Sequence, residues 1–245
     1  MAHLTHTTSE NTTSPRTGHA ITFRPMQASD IDGIIDIDHQ TWYADDGSSY
    51  SRQESTLEVT GLLKRVTWSS LAFLHTNSDD AGEFVGMITA SIKGEKPLPD
   101  DIATTLADRE QQARQTLERT PEGRRILHDY DADFAENEHF EAQARRELDA
   151  EAVLFFLRPK ARGHQLGKRL FDSFINHLDE MNLQTYWLFT DSTCSFGFYD
   201  HRGMRRTATL QTACNYMPGV TKYIYTGFVD DDMQRYANMT GEIGQ

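Results

Sequence analysis

Cysteine is nearly missing from this chain: Cys194 and Cys214 are the only two in 245 residues, and no C-x-x-C pattern occurs. That excludes a disulfide framework and a thiolate metal centre, so no metal is expected and the thiols are read as reduced. Long apolar runs are missing as well. The longest, Ala152 to Leu157, has six residues, against the ~20 that cross a bilayer. The N-terminal stretch lacks the basic and then hydrophobic pattern of a secretory signal, so a cytoplasmic protein with no membrane partner is expected. Positive charge is scarce. With 24 Lys and Arg against 37 Asp and Glu, the formal charge is −13, which argues against nucleic acid as a partner because that surface needs a basic patch. Such acidity is compatible with a cationic substrate but mostly reports solubility. Two nucleotide-binding fingerprints are also absent: there is no G-x-G-x-x-G, and no pair of glycines spaced by four residues ahead of Lys and a hydroxyl residue.

What is present is a strand, a turn and a helix between residues 151 and 169. Val153 to Leu157 is too short for a helix and rich in strand-favouring residues, and Pro159 ends the pairing. After the turn, Leu166, Leu170, Phe171, Phe174, Ile175 and Leu178 share one helical face, while Lys168, Arg169, Asp172, Asn176 and His177 share the other. The helix therefore lies on a sheet. Its first turn offers unpaired amides and the positive end of the helix dipole, and Gly163 and Gly167 let an anion approach the main chain. Lys168 and Arg169 add charge.

The stretch Arg162 to Gly167 resembles the pyrophosphate loop of the GNAT superfamily of acyl-CoA-dependent N-acyltransferases. That pattern runs Gln or Arg, two residues, Gly, one residue, then Gly or Ala; Arg162 and Gly167 match it, whereas Gln165 stands where the middle glycine is usual. Either the turn tolerates a side chain there or one amide contact differs. Residues 183 to 204 resemble the next block of the same superfamily through Phe198, Tyr199, Gly203 and Met204. Ser192 stands where many members have an Asn contacting the cofactor arm, and Ser195 where many have Ala. The resemblance implies acetyl-CoA as cosubstrate. It places Phe155 and Leu157 beside the pantetheine arm, Arg162, Gly163, His164, Gln165, Gly167 and Lys168 around the diphosphate, and Ser192, Ser195 and Phe198 along the arm.

The expected fold is α/β: a GNAT-type mixed, mostly antiparallel central sheet flanked by helices, with an added helical subdomain. Residues 1–19 read as a flexible tail, 20–230 as a single acyltransferase-like domain, and 231–245 as a C-terminal helix or tail. Within the domain a first strand begins at Ala20, and Ser29 or Asp30 caps a helix whose Ile31, Ile34, Ile35 and His39 share a face. A second helix is expected over Arg52 to Thr67, then strands over Leu71 to His75 and Glu83 to Ile92. The final strands are expected over Arg205 to Ala213 and Thr221 to Val229. Residues 94–149, rich in Glu, Asp, Gln, Arg and Ala, read as a helical insertion of two or three helices packed over one end of the sheet, with Thr120 and Pro121 opening one of them. From Asp129 to Glu141 this segment carries six carboxylates and no Lys or Arg. Read as a solvated face it is unremarkable in function; read otherwise, it is an acidic mouth for an amine.

The resemblance implies direct transfer of an acetyl group to a primary amine of a small molecule or peptide. The amine must first lose a proton, since an alkylammonium is almost wholly charged at neutral pH. Glu151 is the first carboxylate candidate for that role and Asp191 the second. Tyr199 matches the residue that gives a proton to the leaving thiolate. Trp42 and Tyr43, at the end of the first helix, are candidates for lining the acceptor pocket, with core packing as the plainer reading. Two other functions compete: a catalytically weak CoA-binding module that senses acyl-CoA through the helical insertion, and acyl transfer through Cys194 with His201 as its base. The acceptor, the acyl length and a homodimer are all left open.

Overall fold

The computed structural model describes residues 12–13, 20–43, 47–75, 81–159, 165–214 and 216–241, with side chains described from residue 20 to residue 235 of those ranges. In chain order the elements are β1 (Thr12–Thr13), β2 (Ala20–Arg24), α1 (Ile31–Asp38), α2 (Ser51–Leu63), β3 (Trp68–His75), β4 (Glu83–Ile92), α3 (Asp100–Glu118), α4 (Pro121–Glu147), β5 (Ala150–Leu157), α5 (Leu166–Glu180), β6 (Thr185–Asp191), α6 (Gly197–His201), β7 (Arg205–Gln211), β8 (Thr221–Phe228) and α7 (Val229–Gly241). One sheet holds all eight strands in the order β1-β2-β3-β4-β5-β6-β8-β7. Every neighbouring pair is antiparallel except β5 and β6, which are parallel.

Both faces of the central strands are covered, which is why β3 and β4 read as nearly continuous apolar runs rather than alternating ones. On one face Leu170, Phe171, Phe174 and Leu178 of α5 pack on Ile88, Ala90, Ala152 and Tyr186. On the other, Ile31, Ile34 and Ile35 of α1, Leu63 of α2 and Ile102 and Leu106 of α3 cover Leu71, Met87, Leu154 and Phe156. A third cluster joins Leu57 of α2 to Leu117 of α3 and to Leu127 and Tyr130 of α4. No helix among the described residues is long and apolar enough to cross a membrane.

Several expected boundaries move, each for a local reason. Thr12 and Thr13, read as tail, pair with Ile21 and Ala20 at the sheet edge. The first helix is preceded by a 3₁₀ turn, Ala28–Asp30, in which the Asp30 carboxylate accepts from the Gln27 amide and from Arg24. The second helix stops at Leu63, short of Thr67, because Thr67 is already bonded to β4: its amide donates to the Ala90 carbonyl at 2.8 Å, and its hydroxyl accepts from the Ile92 amide at 2.9 Å. β7 ends at Gln211, short of Ala213, because Thr212 and Ala213 turn aside to donate to Glu136 of α4.

Between β4 and β5 the chain forms two helices; the start of α3 covers the sheet through Ile102 and Leu106, and further along α3 and α4 pack with α2. Thr120 caps α4, accepting from the Gly123 amide at 3.0 Å, with Pro121 in the first turn. Gly123 is obligatory on steric grounds: a Cβ there would lie 2.1 Å from the Leu117 carbonyl oxygen. The acidic run of α4 is not an open mouth. Of its six carboxylates, Asp131 meets Arg114, Asp133 and Glu136 share Lys222, and Glu138 and Glu141 share Arg145 and Arg65, leaving Asp129 with the His128 ring as its one ionic partner among the described residues.

Lys222 pins α4 to β8. It is 1% exposed, and its ammonium donates to Asp133 and Glu136 at 2.7 Å each. Against the upward push of burial, hydrogen bonds from Lys222, Thr212 and the Ala213 amide bring the Glu136 carboxyl from the ordinary 4.5 down to about 2. Removing one partner of a buried pair strands the other charge, at a cost of about 3–5 kcal/mol. Lys222→Ala should therefore lose stability on that scale in urea unfolding near neutral pH. The contribution of Glu136 is complete above pH about 4.5 and is lost as pH falls toward about 2; in the variant that acid limb should move to higher pH.

Candidate active site

An irregularity in β5 creates the site. Thr89 pairs with Leu154 and Ala90 with Ala152, so Val153 is one residue too many for its partner strand. Such a bulge bends the strand that carries it. It also reverses the faces: Ala150 and Ala152 point to the α5 side before it, Phe155 and Leu157 after it. β5 and β6 pair only through Ala150, Glu151 and Ala152, opposite Tyr186, Trp187 and Leu188. Beyond that point β5 stays with β4 while β6 runs on to Asp191 against β8, and a V-shaped gap opens between the two parallel strands. The Arg158 amide donates to the Val85 carbonyl of β4 at 2.8 Å. By alternation the amides of Phe155 and Leu157 face the gap, free to pair with an extended ligand as another strand would.

Residues 160–164, and with them Arg162, Gly163 and His164, lie outside the described residues. Gln165 follows them with φ 53° and ψ 17°, a left-handed conformation that favours glycine. The turn therefore tolerates the side chain, which is exposed. α5 begins at Leu166 with no side-chain cap and no acid in its first turn, so its N-terminal amides keep the partial positive charge that attracts an anion. A Cβ at Gly167 would lie 2.9 Å from Leu157 Cδ1; glycine lets the helix tip close on the end of β5. Lys168 donates to Asp172 at 2.6 Å, and the Arg169 guanidinium lies over the Phe23 ring.

Across the gap, α6 follows β6 and presents Phe198 and Tyr199. Phe155 of β5 packs on Phe171 and Phe198 with ring centroids 5.7 and 5.4 Å apart, closing the gap on its α5 side. Tyr199 packs on Phe171, Phe198 and Tyr225, and its hydroxyl has no hydrogen-bond partner among the described residues. Burial, with Cys194 and Tyr225 adding to it, pushes the phenol well above its usual range. Tyr199 thus remains a proton donor at any ordinary pH. Ser192 pairs with β8, its hydroxyl accepting from the Thr221 amide at 3.1 Å, and Ser195 is exposed just before α6.

The two carboxylates singled out from sequence serve other ends. Both oxygens of Glu151 accept from Arg65, at 2.6 and 3.2 Å, with the side chain 3% exposed at the closed base of the gap. Its lone pairs are engaged by a guanidinium that also reaches Glu141. Glu151 is accordingly corrected from proton acceptor to buried ion pair. Asp191 accepts from the amide and hydroxyl of Thr193 at 2.7 and 2.6 Å, forming the turn after β6. The cysteine route also fails. Burial pushes the Cys194 thiol up, and the His201 ring is bonded to the Gly197 carbonyl at 2.6 Å. Asp133, Glu136 and Cys214 bring possible ligand atoms within 4.8 Å of one another, but Lys222 already balances the charge there.

On the α1–α2 side, a five-residue π-helical turn, His39–Tyr43, extends α1. It leaves Trp42 39% exposed and turns Tyr43 inward, its hydroxyl 3.4 Å from that of Tyr216 in the loop between β7 and β8. Three groups here went unread in the sequence. Asp38, 2% exposed, accepts from Ser55 at 2.7 Å, and burial, against that bond, raises its carboxyl to about 7. Glu58 is raised to about 8, first by burial and then by Asp38 and Asp133. Tyr216 sits edge-on to Tyr130 with ring centroids 5.8 Å apart. No local pattern marks them, because the partners come from α1, α4 and the β7–β8 loop.

No family model matches the chain, and no curated protein matches it. Among solved structures it is similar to Ard1 from Thermoplasma volcanium, at 16% identity with 85% of this chain and 97% of that chain covered and a TM-score of 0.48. It is also similar to Arabidopsis thaliana NAA60 in complex with acetyl-CoA, at 13% identity, 86% and 99% coverage and a TM-score of 0.48. A third is the spermidine/spermine N-acetyltransferase SpeG from Vibrio cholerae in mutant form, at 10% identity, 88% and 98% coverage and a TM-score of 0.47. The order of this chain's own strands, the opening between β5 and β6 and the helix that follows β5 give it the GNAT-type fold.

Proposed function

We propose that this protein is an acetyl-CoA-dependent N-acetyltransferase acting on a primary amine of a small molecule or peptide. The observation that carries the reading is the gap between β5 and β6, with the amides of Phe155 and Leu157 facing it and the uncapped start of α5 at its end. A strand edge and an anion-binding helix tip in line match a thioester arm that terminates in a diphosphate. Tyr199 flanks the gap from α6.

In this reading the amides of β5 hold the arm in extended form, and one of them donates to the thioester oxygen as that oxygen gains charge. A fixed donor of that kind is worth about 2.7–4 kcal/mol. Phe155, Phe171 and Phe198 exclude water on the α5 side, and Tyr199 gives its proton to the sulfur as the carbon–sulfur bond breaks. The amine enters from the α1–α2 side.

Two outcomes test this. Calorimetry should detect coenzyme A binding, and Gln165→Gly should preserve it while raising stability by about 1 kcal/mol, the left-handed penalty of a side chain; the absence of any heat of binding would remove the reading. Tyr199→Phe should bind coenzyme A unchanged yet lose about 10²-fold or more in kcat, the range of general acid catalysis, followed as thiol release with an amine panel. Tight binding with no turnover on any amine would instead favour a sensing module.

A further inference from the structure

Glu58 is a carboxylate the mechanism so far leaves idle. It lies on the stripe of α2 that carries Ser55, Gly61 and Arg65, and these three neighbours define what that stripe faces. Ser55 donates to Asp38 of α1 at 2.7 Å. Gly61 abuts α4 so closely that a Cβ would lie 2.8 Å from the Tyr130 hydroxyl. Arg65 holds Glu151 of β5. The charges bearing on Glu58 come from Asp38 on α1, Asp133 on α4 and Asp191 at the end of β6, with Arg65 of its own helix opposing them. The phenols of Tyr43, Tyr130 and Tyr216 feel it in turn, and Glu54, one turn away, accepts from Ser48 at 2.8 Å. Asp191 ends β6 beyond the point where that strand leaves β5, so Glu58, on α2, lies on the sheet face opposite Tyr199 and toward the open part of the gap, away from its closed base at Glu151. Among the described residues its carboxylate has no hydrogen bond.

We propose that Glu58 is the proton acceptor for the acceptor amine and that the acceptor is a primary alkylammonium received among Tyr43, Tyr130 and Tyr216; the inference rests on the acetyltransferase reading above. Asp133 is already paired with Lys222 and Arg65 with Glu151, which leaves Asp38 and Glu58 as two confined acids with no bonded cation among the described residues. A bound ammonium supplies the missing positive charge, and aromatic faces favour it further. Burial lifts the Glu58 carboxyl to about 8, within about 100-fold of an alkylammonium in proton affinity, where an ordinary Glu falls short by about a million-fold. A peptide α-amine, which ionises near 8, has little need of such a base.

The protons balance. Glu58 takes one from the ammonium, and the freed nitrogen forms its bond to the acetyl carbon as the carbon–sulfur bond breaks. Tyr199 protonates the sulfur and is replenished by the second proton that the nitrogen sheds. Glu58 returns its own to solvent, so the products are the acetamide, the free thiol and one proton.

The test follows acetyl transfer from acetyl-CoA to tyramine, putrescine and a peptide with a free N-terminal alanine between about pH 6 and 10, a range that brackets these groups. Wild type, Glu58→Gln and Glu58→Asp are compared, with coenzyme A binding measured in parallel. The expected result is a wild-type kcat/KM on the two alkylamines that rises to a plateau above pH about 8. Glu58→Gln should lose about 10²- to 10⁴-fold in kcat together with that inflection, at unchanged coenzyme A binding, with Glu58→Asp between the two. A second readout needs no amine. Ionising Glu58 in the fold is uphill, so it lowers wild-type stability as pH rises from about 4.5 through about 8; Glu58→Gln should shrink that fall and abolish the part above pH about 7, leaving what Asp38 and Glu141 contribute below it. A Glu58→Gln enzyme with wild-type rate and profile overturns the proposal, as does turnover confined to the peptide. Intact coenzyme A binding with no turnover by wild type on any amine overturns the acetyltransferase reading and this one with it.

Discussion

A sheet whose strands all stay paired has nowhere to put a ligand strand, and in this protein the exception is made by the single extra residue at Val153. The bulge bends β5, moves Phe155 and Leu157 to the α5 face and Leu154 and Phe156 to the α1–α2 face, and ends the partnership with β6 after Ala152. The two strands are held from behind, β5 by β4 and β6 by β8, so the gap is a fixed feature of the sheet and not a loosened edge. Everything with chemical character is disposed around it. The tip of α5 closes one end, the aromatic cluster of Phe155, Phe171 and Phe198 closes the α5 face, and the tyrosines and acids gather on the other.

Charge inside this molecule is arranged in two different ways. Arg65 with Glu151 and Glu141, and Lys222 with Asp133 and Glu136, are closed sets in which cation and carboxylates satisfy one another. They lock α2 to β5 and α4 to β8, the two joints that position the α1–α2 side of the gap. Asp38 and Glu58 are the other kind: carboxyls in confined surroundings whose charge no bonded cation offsets, which is why burial dominates their behaviour. An enclosed set of ion pairs holds its shape; an uncompensated pair of acids is poised to accept a cation or a proton.

The strands, the helix faces and the boundary between β4 and β5 were legible because they depend on local periodicity. The apolar stripe of α5 and the Thr120–Pro121 start of α4 needed no knowledge of the rest of the chain. At the position where the resembling pattern usually has glycine, Gln165 takes a left-handed conformation, the backbone state that glycine adopts most readily. The surroundings of Glu151 and Glu58 were not legible. Glu151 stood out as an acid in an apolar strand but is neutralised by Arg65, eighty-six residues away. Glu58 stands between Leu57 and Val59 with no local mark, and the charges around it come from Asp38, Asp133 and Asp191, which only the tertiary fold assembles. The pairing of the acidic run of α4 was hidden for the same reason, since its counter-ions come from α2, α3, α4 itself and β8.

The π-helical turn at His39–Tyr43 has an evolutionary corollary. A wide turn accommodates one residue more than the helix it extends, and one residue corresponds to about 100° of rotation. Deleting a single position between Asp38 and Trp42 would restore ordinary helical spacing and change the direction in which Trp42 and Tyr43 leave the helix. Such a one-codon change would be confined to the Tyr43–Tyr216 contact and the exposed Trp42, with the sheet and its opening untouched.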